Sequence, residues 1–132
     1  MNPTPQMRAA APVLLVSDVI KAADYYAQKL GFVVRRFWGD PPTFAIPRRD
    51  GVEVMLNQVN EGDIFRPNGS YEGRCDAYFY VGDADALHAE FASKGADILC
   101  PPSDEPYMMR EFQVRDLDGH ILIFGQDISG SN

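Results

Sequence analysis

The chain has 132 residues, 45% of them hydrophobic and 23% charged, a length that suits one compact domain with a real core and excludes disorder for its bulk. Nineteen Asp+Glu against twelve Lys+Arg leave a net charge of −7; with no basic run, this argues against nucleic acid as a partner, because phosphate tracking needs clustered cations. No apolar run approaches the ~18 residues of a membrane span, and Met1 to Gln6 lack the apolar core of a signal peptide, so the expectation is a cytoplasmic protein with no membrane partner.

Residues 1–8, with Pro3 and Pro5, read as a mobile start, and residues 128–132 as an equally loose end. Pro12 to Val16 is a short apolar run that suits a strand, and Ser17-Asp18 offers a helix cap. From Val19 to Leu30 the apolar residues Ile20, Ala23, Ala27 and Leu30 recur at helical spacing, and Gly31 stops the helix. Strands are expected at Phe32 to Trp38, Thr43 to Arg48 and Val52 to Val59, parted by the turn residues Gly39 to Pro42 and Arg49 to Gly51. That closes a first module at residues 9–60, and the polar, Gly-containing stretch 61–74 is its connector to a second at 75–127. There Ala77 to Val81 reads as a strand, and Asp83 caps a helix carrying Leu87 and Phe91, which Gly95 ends. Strands follow at Asp97 to Cys100, Arg110 to Arg115 and Ile121 to Phe124, with Pro101, Pro102 and Pro106 confining the segment between the first two to loop. Cys75 and Cys100 have no zinc-like spacing and read as reduced, buried thiols.

The two halves share more than element order. Val16-Ser17-Asp18 matches Val81-Gly82-Asp83, and on the same offset Tyr26 meets Phe91, Ala27 meets Ala92 and Lys29 meets Lys94. At a second constant offset Asp50-Gly51 with Val52 to Leu56 matches Asp118-Gly119 with His120 to Phe124. Repeated caps and turns in the same order mark one βαβββ unit used twice.

Pro12 to Val19, Tyr25-Tyr26 ahead of Leu30-Gly31-Phe32, and Arg110 to Gly119 carry a resemblance that covers residues 10 to 126: the chain is similar to the vicinal oxygen chelate superfamily of glyoxalase, bleomycin-resistance and extradiol dioxygenase proteins. The resemblance implies an α+β fold of two tandem βαβββ modules, whose curved mixed sheets surround a cleft that a second subunit usually completes. Its metal enzymes take ligands, typically His and Glu, from the first and last strand of each module. Those positions fall here at Ala11 and Asp76, and at Glu53 (or its same-face neighbour Met55) and Ile123. Alanine and isoleucine offer no donor, and two carboxylates without imidazole suit Zn²⁺ or Fe²⁺ poorly. His88 reads as the solvent face of a helix and His120 as part of a turn, so no metal, no other cofactor and no catalytic residue is expected.

Period-two alternation then assigns Leu14, Val16, Val54, Leu56, Phe79, Phe112, Val114, Leu122 and Phe124 to the helix side of the sheets. The opposite side receives Glu53, Met55, Asn57, Asp76, Tyr78, Tyr80, Glu111, Gln113 and Ile123, with Trp38 and Phe44 on the rim and Tyr107 in an apolar loop that is either a lid or packing. The carboxylates either face the cleft or are solvated charges, and Trp38 is either a stacking platform or an interface ring. Such a lining suits a hydrophobic organic ligand with a few polar or cationic groups. The reading is a homodimeric protein of the glyoxalase and bleomycin-resistance type that binds or sequesters such a ligand. Its alternative is an enzyme of the same superfamily, a glyoxalase-like lyase or isomerase or a dioxygenase, with an atypical metal site or none.

Overall fold

The computed structural model describes residues 4–130; residues 1–3 and 131–132, the outermost parts of the two ends expected to be loose, lie outside the described residues. The elements run β1 (Val13–Val16), α1 (Val19–Leu30), β2 (Phe37–Trp38), β3 (Phe44–Ala45), β4 (Arg48–Arg49), β5 (Val52–Glu53), β6 (Met55–Gln58), β7 (Ala77–Tyr80), α2 (Ala84–Ser93), β8 (Asp97–Glu105), β9 (Met109–Arg115) and β10 (Ile121–Asp127). Between β6 and β7 lies only a one-turn 3-10 helix, Asn68–Ser70.

The fold is α+β, built on two four-stranded mixed sheets ordered β1-β6-β3-β2 and β7-β10-β9-β8. In each sheet the first strand lies parallel to the last, Leu14 beside Leu56 and Phe79 beside Phe124, and the helix makes the crossover. Both helices begin on the residues that the capping chemistry requires. Asp18 accepts from the N–H of Ile20 and Lys21, and Asp83 from that of Ala86. Gly31, at φ 71°, closes α1 in the left-handed conformation that glycine adopts without penalty.

Four strands differ from the sequence expectation, among them Val52 to Val59, which divides at the buried Val54 into β5, paired with β4, and β6, in the first sheet. The Phe32 to Trp38 strand shrinks to β2, with Val33 making only an isolated bridge to Arg48. The expected Thr43 to Arg48 strand divides at Pro47, which has no N–H to give a ladder, and the chain beyond it folds back as the β4–β5 ribbon around Asp50-Gly51. In the other direction, β8 continues to Glu105 through Pro101 and Pro102, residues expected in loop. It is an edge strand, and register shifts between Ile98 and Ser103 absorb the prolines where their missing N–H groups are not needed.

The inner faces of both sheets and both helices share one core. Leu14, Val16, Tyr26, Leu30, Leu56, Phe91, Phe112, Val114, Leu122 and Phe124 are all buried in it. Phe79 and Phe112 stack on either side of Phe124, at 5.0 and 5.3 Å between ring centroids, and Phe91 stands edge-on to Phe112 and Phe124. Polar clasps join the halves, two of them at opposite sides of the core. On one side the Ser17 N–H and hydroxyl both donate to Asp118 Oδ1, at 2.9 and 2.8 Å. On the other, Arg49 forms a forked pair with Glu90, Nη1 to Oε2 at 2.6 Å and Nη2 to Oε1 at 2.8 Å.

The hydrogen bonds from Arg49, helped by Lys94, hold the Glu90 carboxyl at about 2, below its ordinary 4.5. A depressed carboxyl contributes stability above its unfolded value and loses it as pH falls through the folded one. Both side chains are about a third exposed, so solvent screens the pair and Glu90→Gln is expected to cost only about 1 kcal/mol at pH 7. Urea unfolding at pH 7 and pH 3 checks this: the gap between parent and variant narrows in acid.

Candidate functional site

Alternation along the strands carries polar and aromatic side chains to the faces turned away from the core. On the second sheet, Tyr78, Glu111, Gln113 and Ile123 share one face, because Ile123 pairs with Tyr78 on one side and with Gln113 on the other. Glu111 is only 5% exposed although it faces outward. The reason is two phenols: the Tyr78 hydroxyl donates to Glu111 Oε2 at 2.6 Å, and the Tyr107 hydroxyl donates to Oε1 at 2.7 Å. Tyr107 comes from the β8–β9 hairpin tip, which turns on Met108 at φ 63°. Tyr80 lies beside Tyr78, 5.2 Å between ring centroids, and is 80% exposed.

The two phenols are held as neutral donors. Burial, then the hydrogen bond to Glu111 and its charge, raises Tyr78 well above the ordinary phenol value, and the bond to Glu111 pushes Tyr107 up to about 12. Gly125 makes this arrangement possible. The Tyr78 ring crosses its Cα, and a Cβ at Gly125 would collide with the phenol oxygen.

The remaining expected residues fall into other settings. Trp38, Phe44, Met55 and Asn57 belong to the first sheet, where Phe44 pairs with Trp38 on one side and Asn57 on the other. Trp38 packs edge-on against Phe44 at 5.7 Å, with the Arg36 guanidinium 4.4 Å over its ring. Glu53 takes the Arg48 Nε at 2.6 Å. A cavity of about 460 Å³ between Ala10–Pro12, β5 and β7 brings Glu53 together with Tyr78 and Tyr80. Asp76 serves the fold instead. Its carboxylate accepts from the N–H groups of Asn68 (2.7 Å), Gly69 (2.9 Å) and Ile121 (2.8 Å), pinning the connecting segment to the start of β10.

These settings decide whether a metal of the kind found in related enzymes fits. Ala11 and Ile123 have no donor atom, the Glu53 carboxylate is bound to Arg48, and that of Asp76 already accepts three N–H groups. Among the described residues no three His, Cys, Asp or Glu side chains gather as ligands. The donor set does not fit a metal at these positions.

Both histidines depart from expectation. His88 lies on the same helical stripe as Ala84 and Phe91 and packs edge-on to Phe112 at 5.4 Å, rather than facing solvent. His120 is 3% exposed, its Nδ1 2.8 Å from Asp116 Oδ2 and its ring stacked on Phe65. The turn around Asp118-Gly119 is real, but the Asp116 carboxylate draws the imidazole inward. Sequence reasoning also missed Gly125, a solitary glycine with no turn signal, and the arginines around Trp38.

Two mixed sheets, each with its first strand parallel to its last and a helix at the crossover, place the chain in the α+β class. The chain belongs to the glyoxalase/bleomycin resistance protein/dioxygenase superfamily, whose family model matches residues 8–124. No curated protein matches it in sequence. Among solved structures it is similar to the bleomycin-binding protein from bleomycin-producing Streptomyces verticillus, complexed with copper(II)-bleomycin, at 25% identity and TM-score 0.71 over 92% of this chain and 97% of that one. TioX from Micromonospora sp. ML1 shares the fold at 24% identity and TM-score 0.71, covering 92% of this chain and 99% of its own. So does a domain from Frankia sp. EAN1pec, at 22% identity and TM-score 0.73 over 97% and 96% of the two chains.

Proposed function

We propose that this chain is a small-molecule binding protein that sequesters a hydrophobic, cationic ligand without bond-making, as a cytoplasmic homodimer. The observation that carries the reading is Glu111, a carboxylate sheltered on the outer face of the second sheet by the hydroxyls of Tyr78 and Tyr107. A carboxylate shielded from bulk water attracts a cation more strongly than an exposed one does, and the Tyr78 and Tyr80 rings beside it supply π faces for the same cation. The bleomycin-binding neighbour supports a ligand of this general kind, and the poor fit to a metal favours holding over transforming. Two features support a second copy. β1 and β7 are edge strands of their sheets, and Val13 and Leu15 on β1 expose apolar surface, 56% and 43%.

Thermal-shift screening against cationic aromatic compounds, copper(II)-bleomycin among them, tests the reading. A ligand at a hundred times its Kd adds about 2.7 kcal/mol of stability. Glu111→Gln is expected to weaken binding about tenfold or more, since it removes a charged hydrogen-bond acceptor. Gly125→Ala is expected to do the same by displacing the Tyr78 phenol. If neutral isosteres shift the melting temperature as much as the cations, or if both variants respond like the parent, the reading is wrong. Sedimentation at micromolar concentration tests the dimer.

A further inference from the structure

We propose that a second site lies on the first sheet, in the hollow between Arg35, Arg36, Trp38, Ile46 and Arg48, and that it takes the oxyanion of a small aromatic molecule, a carboxylate or a phosphate monoester. The chain carries a net charge of −7, yet Arg35, Arg36, Arg48 and Arg49 supply four of its twelve basic side chains within a short reach of sequence. Their partners differ. Arg49 is consumed by Glu90 and Arg48 shares its charge with Glu53, whereas among the described residues neither Arg35 nor Arg36 meets a carboxylate. Three of the four line one hollow of about 250 Å³.

Arg36 is placed for recognition. Its guanidinium sits over the Trp38 ring at 4.4 Å, and a guanidinium held by an aromatic face keeps its N–H fork for an anion, whose paired oxygens match it two at a time. The walls supply the rest. Trp38, braced edge-on by Phe44, and Ile46 give flat apolar surface against which an aromatic ring packs. The hollow falls below the ~300 Å³ at which pockets for drug-sized ligands begin, which points to a single ring. The charge it selects is opposite to the charge that Glu111 attracts, so this site stands or falls independently of the cation site on the second sheet.

The lone tryptophan makes the test direct. Benzoate and phenyl phosphate, titrated at low ionic strength, are expected to change Trp38 fluorescence saturably, and benzylammonium, of the same shape and opposite charge, is not. Calorimetric titration of the same two anions should weaken about tenfold in Arg36→Ala and remain weak in Arg36→Lys, which keeps the charge and loses the fork. Arg36 is solvent-exposed, so neither variant threatens folding, and circular dichroism verifies this. A linear, unsaturating response, an equal response to benzylammonium, or an Arg36→Ala chain that binds like the parent overturns the site. Inorganic phosphate binding as tightly as phenyl phosphate overturns its aromatic half.

Discussion

Asp116→Ala is expected to lower the free energy of unfolding by about 3–5 kcal/mol, the range for removing one partner from a buried charged network. Asp116 is buried, and its carboxylate collects the Tyr26 hydroxyl at 2.8 Å, the N–H groups of Asp118 and His120 at 3.0 and 2.9 Å, and His120 Nδ1 at 2.8 Å. Tyr26 comes from α1 and the others from the turn before β10, so one side chain ties the first helix to the second sheet. Among the described residues no buried side-chain nitrogen or oxygen lacks a partner, and the substitution would strand several donors at once.

The same network gives stability a pH dependence. Burial alone would lower the His120 pKa, but the hydrogen bond to Asp116 and the charges of Asp116, Asp76 and Asp118 outweigh it and raise the value above the ordinary 6.5. A raised histidine contributes fully below its unfolded value, and the contribution fades as pH rises through the folded one. Urea unfolding from pH 5.5 to 8.5 should therefore show His120 stabilising the parent chiefly at the acid end. That slope is expected to disappear in Asp116→Ala. A variant within 1 kcal/mol of the parent would mean that the network relaxes or admits water.

Phe112→Ala is expected to cost about 3–5 kcal/mol as well, by a different route. The ring is fully buried, stacked on Phe124 at 5.3 Å and met edge-on by Phe91 and His88. Truncation leaves a void among large rings, which cannot collapse into it without leaving their rotamers. Because Phe112 lies between Glu111 and Gln113 on β9, the loss also loosens the strand that presents Glu111. Denaturant unfolding should show the drop in stability, and thermal shift a diminished ligand response in chains that remain folded.

Much of this architecture was legible from local signals. Helix α1, its Asp18 cap and its Gly31 stop depend on residues a few positions apart, and the inward set from Leu14 to Phe124 follows from the two-residue repeat of strands. The features that eluded sequence reasoning depend on distant partners. Pro47 and Pro101–Pro102 break or spare a strand according to whether a neighbour needs their missing donors, and that depends on sheet order. His120 is drawn inside by Asp116, whose carboxylate is held in turn by Tyr26, a residue most of the chain away. In the site, Tyr78, Glu111 and Gln113 could be placed on one face by counting. The role of Gly125 and the charge around Trp38 could not, because each is a meeting of side chains from different strands.

The Ser17–Asp118 clasp falls where the two halves of the sequence, matched at their caps and turns, differ. The residues at the matching offsets, Gly82 and Asp50, line a cavity of about 370 Å³ beside the Arg49–Glu90 pair. The two joints therefore differ in kind: a hydroxyl and an N–H on a carboxylate at Ser17–Asp118, and a guanidinium on a carboxylate beside an open cavity at Arg49–Glu90.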